Sequence, residues 1–273
     1  MLNLFSPAKI NVFLKVVGRR PDGFHDLASL FQTIDLKDTL HLSLTNQDEM
    51  TSTCKNLPRD NTNLIFKAAD LFRKKSGKTF GLHVHVVKRI PQLAGLGGGS
   101  SNAATTLWGI NELFGRPYTT QELAEWSIEL GSDVPFFFSR GTAYCTGRGE
   151  VIRTIEPFLS QKLWVVKPDR GLSTPEVYKH LNLGDLPTRD PENVLENILK
   201  GKMECFNDLE HPAVQLFPEL GNIKKKLSEK HSHVSMTGSG SAFFCFGGSA
   251  PGKIPHTRIF PAHFIHRTLD KWY

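Results

Sequence analysis

The sequence predicts a mixed α/β protein of two domains, in an α+β arrangement. Its 273 residues are about twice the length of a typical single domain. Segments with strand-like alternation are interleaved with segments of helical periodicity along the chain. The second half differs, because its helices start with a capping residue followed by proline. We therefore predict domains over residues 1–155 and 156–273.

Strand and helix signals alternate in the first half. Residues 6–17 are rich in β-branched and apolar side chains, and residues 30–45 and 82–90 alternate between apolar and polar side chains, so each predicts a strand. Between the last two, Thr62 or Asn63 can cap a helix.

Helical periodicity dominates the next part of the chain. A helix is predicted after residue 101, and Thr119 with Glu122 forms the capping box of another. In the second half, helix starts are predicted at Thr174-Pro175 and Asp190-Pro191, a further helix carries Leu220, Ile223 and Leu227, and strands are predicted over 233–236 and 242–246.

Composition excludes several classes of protein. The net charge is +6, and the positive excess is spread evenly over both halves of the chain. Because the sequence has no polybasic tail, this charge does not indicate a nucleic-acid partner. No apolar run approaches the length of a membrane span. The four cysteines form no CxxC pair. Two histidine pairs, His83 with His85 and His231 with His233, have no third metal ligand spaced nearby. We therefore expect a cytoplasmic protein with reduced thiols and no metal site of its own.

The most specific local pattern is a glycine-rich segment between a predicted strand and a predicted helix. Glycine permits positive φ angles and lets the backbone approach a ligand closely. The start of the following helix adds N–H donors and a partial positive charge. The segment therefore predicts a phosphate cradle, and the hydroxyls of its last two residues suit a phosphate oxygen or Mg²⁺. Its residues are Pro91, Gln92, Leu93, Ala94, Gly95, Leu96, Gly97, Gly98, Gly99, Ser100 and Ser101.

Other interpretations of this segment stay open from the residues alone. A glycine-rich loop can also be a flexible hinge or a tight packing turn. It is not a Walker A motif, because no Gly-Lys-Ser/Thr ends it, and it lacks the last glycine of the dinucleotide pattern. A nucleotide phosphate is thus favoured over a dinucleotide.

Three segments together resemble the GHMP kinase superfamily in sequence, order and spacing. They are SPAKIN at residues 6–11, PQLAGLGGGSS at 91–101 and MTGSGSA at 236–242. Within the superfamily, RRPDGFHDLASLFQTIDLKDTL, GSDVPFFF and NDLE resemble the branch whose substrate is linked to cytidine diphosphate. The resemblance runs from Ser6 to Phe246, and residues 247–273 carry no motif that matches.

The resemblance implies both a fold and an activity. The N-terminal domain would resemble the second domain of ribosomal protein S5, the C-terminal domain would be ferredoxin-like, and the active site would lie between them. The activity would be phosphorylation, with ATP and Mg²⁺, of the 2-hydroxyl of a cytidine-diphosphate-linked methylerythritol. That reaction belongs to the non-mevalonate route to isoprenoid precursors.

Matching the family motifs also implies catalytic roles. Asp133 is the expected general base, and Lys9 is expected beside it, keeping the carboxylate ionised. Asn11 shares a strand face with Lys9 by the two-residue period and is expected to hydrogen-bond the substrate. Pro135 is expected to keep Val134 extended and so to hold the carboxylate in place.

Further positions match residues that bind the nucleotide and the cytidine-linked substrate in the family. Asn63, Leu64 and Lys88 are expected near the nucleotide. Gly238 and Ser239 are expected to close the site from the second domain. The cytidine end is expected to use stacking aromatic rings and polar edges, supplied by Phe24, His25, Phe31 and Tyr178. The family often has tyrosine where this chain has Phe24, so stacking is kept and a hydroxyl is lost.

Two alternatives accompany this reading. Another GHMP kinase, acting on homoserine or mevalonate, would share the same three motifs. An S5-like domain with a positive net charge could instead bind RNA, although no aromatic and basic stripe is visible. We expect a small-molecule substrate, no membrane partner, and a monomer or weak homodimer.

Overall fold

The structure, a computed structural model, describes residues 1–268 and 270–273 and contains two β-sheets. The first sheet has seven strands: β1 (Leu2–Arg19), β2 (His25–Thr45), β3 (Glu49–Ser52), β4 (Gly81–Val87), β5 (Thr142–Gly147), β6 (Val151–Thr154) and β8 (Phe206–Asn207). The second has four strands: β7 (Lys162–Pro168), β9 (His233–Met236), β10 (Phe243–Phe246) and β11 (Thr257–His263). The predicted mixed α/β class is confirmed.

Helices cover the sheets. They are α1 (Leu64–Ser76), α2 (Gly98–Leu113), α3 (Thr120–Ser127), α4 (Thr174–Lys179), α5 (Pro191–Leu199), α6 (Glu210–Leu216) and α7 (Glu219–Ser228), with 3₁₀ turns at Pro135–Phe138 and Leu183–Asp185. Three predicted caps are confirmed: Asn63 caps α1, Thr119 and Glu122 form the capping box of α3, and Asp190 caps α5. The cap of α4 is Ser173, one residue earlier than predicted.

The first sheet is organised by the long antiparallel pair β1 and β2. The strand order is β3-β4-β2-β1-β8; β4 pairs with the last part of β2, and β5 pairs with its first part. Helix α2 packs against this pair and is buried from Ser101 to Asn111, and most of the residues in this stretch are small or apolar. Because α2 is held so tightly, its N-terminus has a fixed position at the end of the sheet.

The second sheet is antiparallel throughout and has the order β11-β7-β10-β9. This is the strand order of a ferredoxin-like sheet, as expected. Helices α4 to α7 lie between β7 and β9 in sequence, whereas residues 247–256, between β10 and β11, contain no helix. The apolar core packs Leu220 and Ile223 of α7 with Val234, Met236 and Phe243 of the strands.

The chain crosses between the two sheets more than once. Phe206 and Asn207 of β8 pair in parallel with Phe13 and Leu14 of β1, so the second half supplies a strand to the first sheet. The predicted division near residue 155 falls between β6 and β7 and stays a prediction. Cys54, Cys145, Cys205 and Cys245 are unpaired thiols.

Two negative findings concern the described residues, 1–268 and 270–273. No helix there is both long and apolar enough to cross a membrane. No group of three or more histidine, cysteine, aspartate or glutamate side chains in this part of the chain could hold a metal ion.

Two helical glycines should respond to alanine in opposite ways. A Cβ at Gly109 of α2 would overlap Leu42 and lie 3.0 Å from Leu4 Cδ1, so G109A should lower the free energy of unfolding by about 1–3 kcal/mol. A Cβ at Gly221 of α7 would lie 3.6 Å from Val214, an ordinary contact, so G221A should raise it by about 0.5–1 kcal/mol. Urea denaturation measures both; equal effects of the two substitutions would contradict this packing.

Candidate active site

A cleft of about 1350 Å³ lies between the two sheets. Its lining comes from β1, β2, the glycine-rich segment, α4 and the loop between β9 and β10. Of the site residues predicted from the sequence, every one except Ser101 lines this cleft. Segments more than two hundred residues apart therefore meet around one concave surface, as a ligand site requires.

Lys9 and Asp133 face each other at the floor of the cleft. Lys9 Nζ lies 3.4 Å from Asp133 Oδ2, and the lysine side chain is 3% exposed against 34% for the aspartate. The ammonium group also donates to Asn11 Oδ1 at 2.8 Å and lies 4.5 Å from the centre of the Phe31 ring. A buried ammonium needs such partners. The carboxylate is thus the more accessible member of the pair.

The segment carrying Asp133 is held differently from the prediction. Val134 has φ −68° and ψ −43°, so it is helical, and the expectation that Pro135 forces it to be extended is wrong. Val134 instead caps the 3₁₀ turn that starts at Pro135, because the preference for extended backbone before proline is a bias that tertiary packing can override. The side chains of Pro135–Phe138 are buried, and this packing anchors the turn.

Asn11 occupies a junction between the two sheets. Its Oδ1 accepts hydrogen bonds from the Gly238 N–H at 2.9 Å and from Thr237 Oγ1 at 3.2 Å, in addition to Lys9. Its Nδ2 donates to Ser29 Oγ at 2.9 Å. The side chain is 1% exposed. Its oxygen is therefore fully engaged within the protein, whereas the sequence assigned this residue to the substrate.

The glycine-rich segment forms a cradle whose shape depends on two glycines. A Cβ at Gly95, where φ is +72°, would overlap the Thr237 carbonyl. Gly97 caps α2 with φ +67°, and a Cβ there would lie 2.9 Å from Lys9 Cγ. The first N–H groups of a helix have no intrahelical partner. Those of Gly98, Gly99 and Ser100 are therefore free of helical partners at a helix end that lies beside Lys9, an arrangement suited to an anion.

The two serines of the segment separate. Ser100 lines the cleft, whereas Ser101 is fully buried, with Oγ 2.7 Å from Ser6 Oγ. Consecutive residues on a helix point about 100° apart, so only one of the two can face the cleft. The hydroxyl of Ser101 therefore does not reach the phosphate cradle, contrary to the prediction, and joins α2 to β1 instead.

The three residues expected near the nucleotide lie at the wall of the cleft, and their polar groups have partners. Lys88 Nζ lies 2.8 Å from Asp38 Oδ2 and also donates to the Ile90 carbonyl. The Asn63 side chain accepts from the Ile65 N–H and donates to the Pro58 carbonyl. Leu64 is an apolar wall, its Cδ1 3.5 Å from where a Cβ of Gly99 would stand.

Aromatic rings line the far end of the cleft. His25 and Tyr178 stack, with ring centres 5.0 Å apart and an interplanar angle of 26°. Burial, assisted by Arg19, lowers the pKa of His25, so the imidazole is neutral at pH 7. Burial, assisted by Asp133, raises the pKa of Tyr178. Phe24 is 55% exposed, and the Arg148 guanidinium lies 4.9 Å from its ring centre.

Sequence reasoning missed two functional neighbours of the cleft. Asn207 donates to the carbonyls of Met236 at 2.7 Å and Gly238 at 2.8 Å, and so fixes the loop that touches Asn11. Asn207 is the first residue of the NDLE segment, one of the segments that resemble the family, but the motif alone implied no role for it. Arg148 lines the cleft beside Phe24 and belongs to no motif.

Comparison with protein families places the chain. The family model described as "GHMP kinases N terminal domain" matches residues 63–141, and the model described as "GHMP kinases C terminal" matches residues 185–254. The second match contains β9, β10 and the loop between them, and the first contains the glycine-rich segment and Asp133.

Relatives and solved structures agree with that assignment. The chain is 50% identical over its full length to "4-diphosphocytidyl-2-C-methyl-D-erythritol kinase" of Protochlamydia amoebophila, covering 93% of that protein. It is 43% identical to the chloroplastic enzyme of that name from Arabidopsis thaliana, covering 76% of it. A crystal structure of "4-(cytidine 5'-diphospho)-2C-methyl-D-erythritol kinase" superimposes with a TM-score of 0.80 at 31% identity, covering 97% of this chain and 99% of that one.

A more distant structure shares the fold. Homoserine kinase from Cytophaga hutchinsonii superimposes with a TM-score of 0.70 at 17% identity, covering 91% of this chain and 85% of the other. The chain belongs to the GHMP kinases and, within them, to the family of 4-diphosphocytidyl-2-C-methyl-D-erythritol kinases.

Proposed function

We propose that this chain transfers the γ-phosphate of ATP to the 2-hydroxyl of 4-diphosphocytidyl-2-C-methyl-D-erythritol, a step of the non-mevalonate route to isoprenoid precursors. The observation that carries the proposal is the pair of Lys9 and Asp133, 3.4 Å apart, between an anion-binding helix end and an aromatic wall. A kinase needs a proton acceptor held between the bound phosphates and the bound alcohol, and this cleft offers one.

The reaction is assigned to the pair at the cleft floor. The Asp133 carboxylate accepts the proton of the substrate's 2-hydroxyl while the hydroxyl oxygen forms a bond to the γ-phosphorus of ATP. The bond between the γ-phosphorus and the β-γ bridging oxygen breaks, and ADP leaves. The Lys9 ammonium orients the carboxylate and stabilises negative charge that develops on the phosphoryl oxygens. Asp133 is exposed enough to reach a substrate, and Lys9 is buried enough to act as a fixed charge.

The phosphates of ATP are assigned to the N-terminus of α2. The free N–H groups of Gly98, Gly99 and Ser100 point into the cleft beside Lys9, where they can bind phosphate oxygens. Mg²⁺ is the proposed companion of ATP, and the residues fit it, since the Ser100 hydroxyl is the kind of oxygen ligand that Mg²⁺ prefers. The ion would neutralise phosphate charge when bound.

The cytidine end of the substrate is assigned to the aromatic wall. A neutral imidazole at His25 can accept a hydrogen bond from the exocyclic amine of cytosine. Phe24 offers an exposed ring for stacking, and Arg148 covers part of it. This wall favours a nucleotide-linked substrate over homoserine or mevalonate, whose smaller molecules need no such surface.

The remaining expectations stay proposals. The four thiols favour a reducing compartment, and we propose the cytoplasm. A monomer or weak homodimer without a nucleic-acid partner remains our expectation.

Substrate choice tests the proposed function. Purified protein with ATP and Mg²⁺ should release ADP with 4-diphosphocytidyl-2-C-methyl-D-erythritol at a kcat/KM at least about a hundredfold above that for mevalonate or homoserine, since the aromatic wall recognises only the first. A coupled ADP-release assay measures all three. Preference for mevalonate or homoserine would reject the cytidine assignment, and salt-dependent RNA binding without turnover would reject a kinase.

Two substitutions test the catalytic pair. D133N keeps the shape of the side chain but removes the proton acceptor, and K9M keeps the aliphatic stem but removes the charge, so each should lower kcat by about a hundredfold or more. The Kd for ATP, measured by titration calorimetry, should change by less than about threefold in D133N. Near-normal kcat in D133N would contradict the base assignment, and a K9M variant with lower stability but normal activity per folded molecule would make Lys9 structural.

A further inference from the structure

The end of the chain forms a strap along the first sheet. We define the C-terminal strap as residues 264–268 and 270–273. Phe264 forms an isolated bridge with Ile34 of β2, and the Ile265 N–H donates to the Thr33 carbonyl at 3.1 Å. Farther on, Trp272 Nε1 donates to the Phe5 carbonyl at 2.8 Å. The strap therefore belongs to the second half in sequence but packs on the first sheet.

Arg267 is the buried centre of this strap. Its side chain donates to three backbone carbonyls: Nε to Ser139 at 2.9 Å, Nη2 to Phe138 at 2.8 Å and Nη1 to Lys271 at 3.1 Å. The guanidinium lies 5.1 Å from the ring centre of Trp108. The residue is 5% exposed, and no carboxylate among the described residues lies within salt-bridge distance of it.

A buried guanidinium without a counter-ion is costly, so its geometry must be strongly determined. The planar fork donates to these two adjacent carbonyls from two different nitrogens in a fixed geometry, which the single ammonium nitrogen of a lysine does not reproduce. Those carbonyls, of Phe138 and Ser139, end the 3₁₀ turn that begins directly after Val134. Arg267 therefore fixes the far end of the short segment whose near end carries Asp133.

The strap also contacts β2, the strand whose Phe31 ring lies beside the Lys9 ammonium. The Ile265 carbonyl accepts from Thr33 Oγ1 at 2.6 Å and from Gln32 Nε2 at 3.1 Å. These residues directly follow Phe31 on β2, whose ring lies under the Lys9 ammonium. The strap thus holds both structures that flank the pair: Arg267 bonds the Asp133 turn, and Ile265, two residues earlier, bonds the strand that carries Phe31.

We propose that Arg267 is a positioning residue of this kinase, which holds the Asp133 turn and the Phe31 strand in register through the C-terminal strap. The proposal rests on the proposed function, because its effect is on the geometry of phosphoryl transfer. Misplacement of a reacting group by about 1 Å can cost about a hundredfold in rate. The ATP cradle at α2 receives no hydrogen bond from Arg267, so ATP binding should be spared.

The test compares R267A and R267K with R258A. Arg258 is an exposed arginine of β11, nine residues earlier, and serves as the matched control. We expect R267A and R267K to lower kcat by about tenfold to a hundredfold with KM for ATP within about twofold, and R258A to match the unsubstituted protein. Ethylguanidinium added to R267A should restore kcat at least about threefold, whereas propylammonium should not, because only the former presents the fork.

Each outcome decides a separate claim. No turnover in the unsubstituted protein would reject the proposed function, whatever the variants do. With normal turnover there, unchanged kcat in R267K, or a loss in R267A explained fully by the folded fraction in thermal melts, would overturn the positioning role. Equal rescue by ethylguanidinium and propylammonium would also overturn it. If R267A does not fold, R267K decides by the same criteria, since it keeps the charge and most of the stem.

Discussion

The side chain of Asn11 joins the parts of the site that the chain brings from far apart. One carboxamide oxygen accepts from Lys9 on the same strand and from Thr237 and Gly238 on the other sheet. A buried acceptor shared by three donors has few alternative arrangements. The position of the lysine is therefore coupled to the position of the loop that closes the cleft, and the glycine-rich segment is packed between them.

The same junction explains the pattern of glycines. Gly95 and Gly238 approach each other closely, and a Cβ at Gly238 would lie 2.9 Å from the Gly95 carbonyl oxygen. Asn207 holds the loop from the opposite side through the carbonyls of Met236 and Gly238. A loop clamped by one asparagine on each side can present its backbone to a phosphate without rearranging, which is the form of preorganisation that catalysis by positioning needs.

Much of the fold followed from local chemistry. Caps and periodicity predicted α1, α3, α5 and α7, and alternation predicted β2 and β4, because these elements carry one buried face that the sequence displays. β1 is buried on both faces over most of its length, and its apolar and β-branched content predicted it instead. β3, β6 and β8 are at most four residues long and carry too few positions for a pattern. The strap has no periodic signal, because its structure depends on Arg267 and Trp272 reaching carbonyls and rings far away in sequence.

The site was predicted in its members more fully than in their contacts. Lys9, Asp133 and the glycine-rich segment meet as the family motifs implied. The polar groups of Asn11, Lys88 and Asn63, by contrast, form hydrogen bonds or ion pairs with other groups of the protein. Hydrogen-bond partners depend on side-chain geometry across elements, and a motif specifies only residue types. Ser101 illustrates this, since the turn of a helix decides which of two adjacent hydroxyls faces the cleft.

Asn11 couples Lys9 to the closing loop, and the steady-state kinetics of N11A separate this role from a direct contact with the substrate. We expect kcat to fall by about a hundredfold with KM for ATP and for the cytidine substrate each within about threefold, because the variant misplaces the catalytic pair but removes neither the N–H groups of α2 nor the aromatic wall. A large rise in KM for the cytidine substrate with kcat unchanged would contradict it and restore the direct substrate contact.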